Sequence, residues 1–258
     1  MKIFRRIAAS FSMFSKIPMP RFRWDEGDGA YTLMFFPLVG LVTGALTCCL
    51  NMRVSAGYIP VAVRILLTLA LPLMVTGGIH IDGFMDTEDA FASCSDKDRK
   101  LEILKDPHTG AFAVISLIRA GLVYAAAVSA ILLNPRTDMD MILIFALVSV
   151  LSRCCSGLTS VFFTKARTTG MLSDMTRDVK RPVVAGLIVQ FAAAAGVMIC
   201  INALCAAAVL LVAAVFTLIY RQKAYKEFGG VTGDTAGWYL SLLEIVCAVV
   251  IGGMSYVS

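Results

Sequence analysis

The residues best suited to do chemistry lie in one stretch, Gly77-Gly78-Ile79-His80-Ile81-Asp82-Gly83-Phe84-Met85-Asp86-Thr87-Glu88-Asp89-Ala90-Phe91. Asp82 and Asp86 are four residues apart, and Asp86 and Asp89 three. If the stretch continues a preceding span as helix, a turn of about 100° per residue brings the three carboxylates within about 60° of one another. Like charges at that spacing repel. A bound divalent cation removes the repulsion, and oxygen ligands suit Mg²⁺, which keeps some waters and shares its other positions with phosphate oxygens. The competing reading is an acidic, solvated segment leaving a membrane. Glu88 points about 120° away, toward solvent or a supporting contact, and His80 falls on the side opposite Asp82, as a histidine at a span end would.

Three more segments carry reactive or anion-binding side chains. Lys105-Asp106-Pro107-His108-Thr109-Gly110 is a turn-forming string that either contacts an anionic substrate or simply starts a helix. Lys165, Arg167, Arg177, Lys180 and Arg181 either neutralise phosphates or meet anionic lipid headgroups. In Gly229-Gly230-Val231-Thr232-Gly233-Asp234-Thr235-Ala236-Gly237, glycines permit close backbone approach and the N–H groups of a helix start can hold phosphate, while the Asp234-Thr235 pair can instead cap that helix. There are more glycines here than a cap needs, which favours the phosphate reading.

The elements that must position these segments are membrane helices. Of 258 residues, 58% are hydrophobic and only 16% charged, and the mean hydropathy is +0.79. A soluble domain carries about 45–50% apolar and about 25% charged residues. The composition therefore implies one integral membrane domain over residues 1–258, an all-α polytopic bundle. Runs of about 20 apolar residues give seven spans: Tyr31 to Leu50, Tyr58 to Ile79, Ala111 to Leu133, Met139 to Phe163, Pro182 to near Ile201, near Asn202 to Tyr220, and Trp238 to Val257. The split at Asn202 divides a charge-free stretch nearly twice one crossing.

Charge supports that count. With the N-terminus in the cytoplasm, 18 of the 23 lysines and arginines face it, while only Arg53 and Arg136 lie outside. This asymmetry is the positive-inside pattern. The net charge of +5 thus follows topology and signals no nucleic-acid partner. No cleaved signal peptide is expected, for the basic N-terminus lacks an apolar core and an A-x-A site. Arg64, Arg119, Arg153 and Glu244 fall within spans, where a charge costs about 2.5–3.5 kcal/mol. Arg64 and Arg119, near span ends, can snorkel; Arg153, inside the polar patch Ser152 to Ser156, is the better candidate for a buried polar role. The eight cysteines form no C-x-x-C and read as packing residues.

These segments, in this order along nearly the whole chain, resemble the cobalamin synthase family, the adenosylcobinamide-GDP ribazoletransferases. The resemblance begins at Phe14-Ser15-Lys16-Ile17-Pro18-Met19-Pro20 and continues in the G-G-x-H-x-D-G-x-x-D-T-x-D pattern from Gly77. Asp106 to Gly110, Ser152-Arg153 and Ala166-Arg167 with Gly170 follow, and it closes with G-G-x-T-G-D-T-x-G from Gly229. It implies attack by a ribose hydroxyl of α-ribazole, or of its 5′-phosphate, on the phosphoryl group of the corrinoid arm of adenosylcobinamide-GDP, with GMP expelled and Mg²⁺ required. By the same resemblance Asp82, Asp86 and Asp89 are the catalytic and metal-binding residues, and Lys105, Asp106, Arg153, Arg167, Gly233, Asp234 and Thr235 contact substrates, on the cytoplasmic face of the inner membrane. The chain departs from the family at two places: His108 stands where D-S-R-x-G has arginine, and Ser241 where an acid is common, with Glu244 one turn later.

Two other classes fit parts of the pattern. A cation- or proton-coupled transporter would use Arg153, Glu244 and the acidic cluster as a pathway, but it calls for carboxylates at mid-membrane and an internal repeat. A CDP-alcohol phosphotransferase shares the carboxylate logic, but Asp86 stands where its D-G-x-x-A-R motif has alanine.

Overall fold

A computed structural model describes residues 2–20, 22, 28–52, 57–135, 137–177 and 179–256. Arg21, Arg23, Arg53 and Arg136 of the charge count, and the Val257 end of the last span, lie outside the described residues. The described residues form eleven helices: α1 (Lys2–Phe14), α2 (Asp28–Asn51), α3 (Val61–Thr76), α4 (Ile79–Ala92), α5 (Lys97–Ile103), α6 (Ala111–Leu133), α7 (Met139–Phe162), α8 (Met171–Thr176), α9 (Arg181–Ile201), α10 (Ala203–Phe228) and α11 (Gly233–Met254). Six of them, α2, α6, α7, α9, α10 and α11, are each long and apolar enough to cross a membrane, and α3 with α4 makes a seventh candidate bent by 95°.

The break at Asn202 is real. Its side chain accepts from the Cys205 N–H at 3.0 Å and so caps α10 as α9 ends. α7 is the central helix, with buried residues on all its faces. Helix α2 approaches it through Gly40 and Gly44, where an added Cβ would lie 2.2 Å from the Ser149 carbonyl oxygen and 2.4 Å from that of Ala146. In lipid, with no hydrophobic drive between helices, such small residues let backbones come into van der Waals contact.

The four segments assigned by charge to one side do meet at one end of the bundle. The Lys16 N–H donates to the Val75 carbonyl at 2.8 Å, Lys100 pairs with Glu227 at 2.5 Å, and Arg167 donates to the Leu101 carbonyl. Val231 N–H donates to Thr164 and Ala166 N–H to Val231, at 2.8 and 3.0 Å, forming an isolated parallel bridge between the third segment and the fourth. At the opposite end the Asn134 side chain donates to the Ser255 carbonyl at 2.6 Å.

The acidic stretch does not simply prolong the second span. Gly77 and Gly78 both adopt left-handed backbone, φ 67° and 82°, ending α3 and starting α4 in a new direction. Glycine carries such angles without the Cβ penalty, and at Gly77 a Cβ would also strike the Lys16 side chain at 2.3 Å. Arg64, near a span end where it could snorkel, is buried, at 9% exposure.

Candidate functional site

Within α4 the helical phase expected for Asp82, Asp86 and Asp89 applies, because all three lie inside one unbroken helix. What aims them is the crossing of α4 over the start of α11. A Cβ on Gly83 would sit 2.8 Å from the Asp234 Cα, and one on Gly237 2.9 Å from the His80 carbonyl oxygen. Both positions therefore need glycine for the backbones to touch. The contact brings Asp234 to the α4 carboxylates. Partial burial first, and then the negative charges of Asp82, Asp234 and Asp89, push the Asp86 carboxyl up to about 6.

Glu88, on another face of α4, is not solvated. It accepts from Trp238 Nε1 at 2.7 Å, from Ser116 Oγ at 2.8 Å and from Arg119 at 3.1 Å, so it ties α4 to both α11 and α6. Asp89 packs against Gly110, where an added Cβ would be 2.1 Å from its carboxylate oxygens. The last glycine of the Asp106 to Gly110 turn is thus a clearance for the acidic cluster.

Asp82, His80, Gly233 and Asp234 face a cavity of about 390 Å³ with Lys165, Arg167, Ser156 and Ser160 among its other lining residues. Burial holds the Lys165 ammonium below the usual lysine range, and it donates to the Phe163 carbonyl at 2.8 Å. Acidic groups from α4 and α11 thus share one cavity with basic groups from the segment after α7. Carboxylate oxygens crowded beside one another are the donor type that suits Mg²⁺. Among the described residues no three His, Cys, Asp or Glu side chains are grouped so as to hold a metal ion, so Asp82, Asp86 and Asp89 share a helix face without forming a three-carboxylate site by themselves.

A family model described as cobalamin-5-phosphate synthase matches residues 6–252. The chain belongs to that family. It is similar to the adenosylcobinamide-GDP ribazoletransferase of Lachnoclostridium phytofermentans, 35% identical over 255 residues, 97% of this chain and 94% of the relative. It is 34% identical over 256 residues to the enzyme of that name from Clostridium perfringens, covering 98% and 99% of the two chains. The Pseudomonas fluorescens one is 31% identical over 242 residues, 93% and 94%. No solved structure matches.

The other residues singled out from the family motifs are placed as follows. Arg167, Gly233 and Asp234 line the cavity. Thr235 is buried in a reciprocal capping box with Thr232 and meets the Tyr220 hydroxyl at 3.2 Å. The family's closing glycines divide in the same way. Gly229 ends α10 with left-handed backbone, Gly230 packs on the 164–166 backbone, Gly237 packs on α4, and Gly233, with nothing within 4 Å of an added Cβ, faces open space. Lys105 and Asp106 lie on an exposed turn, outside the cavity lining. There Asp106 accepts from the His108 backbone N–H at 2.9 Å and pairs with its ring at 2.6 Å, and these bonds hold its carboxyl below the usual range.

Arg153 is wholly buried and pairs with Glu244 at 2.7 Å, with the Ser152 hydroxyl donating to the same carboxylate oxygen at 2.8 Å. It lines a different cavity. Lys165 is the cavity residue that sequence reasoning left within a general basic cluster. Its distinguishing feature is the bridge to Val231, which leaves no periodic signal.

Proposed function

We propose that the protein transfers the corrinoid phosphoryl group of adenosylcobinamide-GDP to a ribose hydroxyl of α-ribazole, or of its 5′-phosphate, with Mg²⁺ as cofactor, at the cytoplasmic face of the inner membrane. The observation that carries this reading is the meeting of Asp82 and Asp234 with Lys165 and Arg167 in one cavity, in a chain of this family; Asp86 and Asp89 lie outside that lining, and Asp86 is linked to it through the charges of Asp82 and Asp234. The collection of basic segments at that same end supports its cytoplasmic orientation.

In the reaction, the acceptor oxygen bonds to phosphorus as the P–O bond to the GMP moiety breaks, and GMP departs with the electron pair. The hydroxyl proton passes to a carboxylate. Burial, and then the charges of Asp82, Asp234 and Asp89, raise the proton affinity of Asp86 above that of an ordinary carboxylate. Asp82, Asp86 and Asp89 would hold the ion, which when bound offsets charge on diphosphate oxygens and on the leaving group. Lys165 and Arg167 supply fixed positive charge to the same anions. The α4–α11 crossing keeps the carboxylates in register.

Purified protein in detergent, given adenosylcobinamide-GDP, α-ribazole 5′-phosphate and Mg²⁺, is expected to release GMP. No release from well-folded protein would sink the proposal, as would full activity without Mg²⁺.

A further inference from the structure

Helix α4 touches α11 at Gly83 and Gly237 through bare backbone. Contact of that kind is close but not directional, so it leaves the roll of α4 about its own axis unfixed. Among the described residues, two hydrogen bonds join the helices across this crossing. Ser241 Oγ donates to the His80 carbonyl at 3.4 Å, which is long, and Trp238 Nε1 donates to the Glu88 carboxylate at 2.7 Å. Glu88 therefore holds the strong directional bond, and it stands two residues from Asp86 and next to Asp89.

The two oxygens of Glu88 reach different helices. Oε1 takes the Trp238 N–H from α11, while Oε2 takes the Ser116 hydroxyl at 2.8 Å and Arg119 at 3.1 Å from α6. Two anchors in different directions fix a rotation that one anchor leaves free. Trp238 is itself buried, its ring edge-on to Phe91 at 5.6 Å and stacked on Phe216 at 5.9 Å, so the donor is fixed in place. It lies one residue after Gly237 and one turn after Asp234. The Glu88 side chain is only 13% exposed, but that of Arg119 is 69% exposed, so water screens the ion pair and the two neutral donors do most of the holding.

We infer that Glu88 is a positioning residue, whose bonds to Trp238 and Ser116 set the rotation of α4 that holds Asp82, Asp86 and Asp89 toward Asp234. It acts through geometry and touches no substrate. The inference rests on the proposed reading of those carboxylates as the holders of Mg²⁺.

Three variants of the full chain separate position from charge. Glu88→Gln keeps an oxygen acceptor and loses the charge, Glu88→Leu loses both, and Trp238→Phe keeps the charge and a ring but loses the donor. The Mg²⁺ dissociation constant of the metal-free protein in detergent is read from the rise of its thermal midpoint with added Mg²⁺; kcat and KM are read from GMP release. Glu88→Leu and Trp238→Phe should each weaken Mg²⁺ binding and lower kcat about 10–100-fold, the usual range for losing a contact that orients metal ligands. The KM values should stay within about threefold of the wild type, as should all constants of Glu88→Gln. The double variant Glu88→Leu/Trp238→Phe should be no worse than Glu88→Leu, because both changes delete one bond.

A lowered midpoint with unchanged Mg²⁺ affinity and kcat in folded Glu88→Leu would show a tie that only stabilises, and would overturn the inference. Equal losses in Glu88→Gln and Glu88→Leu, with none in Trp238→Phe, would assign the effect to charge and overturn it too. If the wild type shows no Mg²⁺ response, the metal reading falls and takes the inference with it. If Mg²⁺ binding follows the expected order but no GMP is released, the positioning role stands and the reaction falls.

Discussion

The carboxylates of α4 and the Arg153–Glu244 pair are both sets of charges set among apolar helices, and the fold treats them in opposite ways. Around Asp86 the neighbouring charges are Asp82, Asp89 and Asp234, all of one sign. Around Glu244, Arg153 and the Ser152 hydroxyl satisfy the charge from within the chain. A closed pair stabilises itself and binds α7 to α11. A cluster of like charges is held at a cost, which a ligand can repay. The difference is why the first region is the one we propose for a cation and phosphates, while the second is an internal joint.

The largest effect should come from breaking the first region. Asp86→Asn is expected to lower GMP release about 10²–10⁴-fold, the usual range for losing a proton-accepting group, without loss of folded protein by thermal unfolding in detergent. The converse holds for the second. Glu244→Ala leaves a buried guanidinium unpaired and should destabilise the fold by about 3–5 kcal/mol, read in the same unfolding assay. Replacing both partners, Arg153→Met with Glu244→Leu, should recover most of that loss.

Next comes the crossing that holds the cluster. Gly83→Ala places a methyl 2.8 Å from the Asp234 Cα and should cost about 1–3 kcal/mol through overpacking. It should also reduce turnover by moving α4 from α11. Gly233→Ala, with open space around its Cβ, should be mild in stability and affect KM for the anionic substrates more.

The smallest effect is electrostatic. Because the Asp86 carboxyl is raised to about 6 in the folded protein, its ionisation opposes folding. Its contribution is fully present below the unfolded-chain value near 4 and is lost as pH rises through about 6. In chelator, wild-type stability relative to Asp86→Asn should therefore fall between pH 4.5 and 7.5. Added Mg²⁺ at pH 7.5 should raise the wild-type midpoint and leave that of Asp86→Asn nearly unmoved.

Much of this arrangement was legible in the chain. The apolar runs located the crossings, Asn202 marked the break between α9 and α10, and the basic residues grouped segments that do meet at one end. The spacing of Asp82, Asp86 and Asp89 put them on one face of a helix. Less visible was that Glu88, pointing elsewhere, would be gripped by Trp238, Ser116 and Arg119, since those partners are distant in sequence. The glycine motif from Gly229 read as a phosphate loop, yet three of its four glycines serve a helix end and two backbone contacts. Glycine in a sequence announces close approach without saying what approaches.

By itself the sequence determined that lipid is the solvent, roughly where the chain crosses it, and which carboxylates share a face, because these follow from local composition and helical period. Only the tertiary structure decided that α4 turns 95° away from α3, brings Asp234 to Asp86, and separates Arg153 from the carboxylate cavity. Those outcomes depend on which backbones can touch, and that is settled by contacts between residues far apart in the chain.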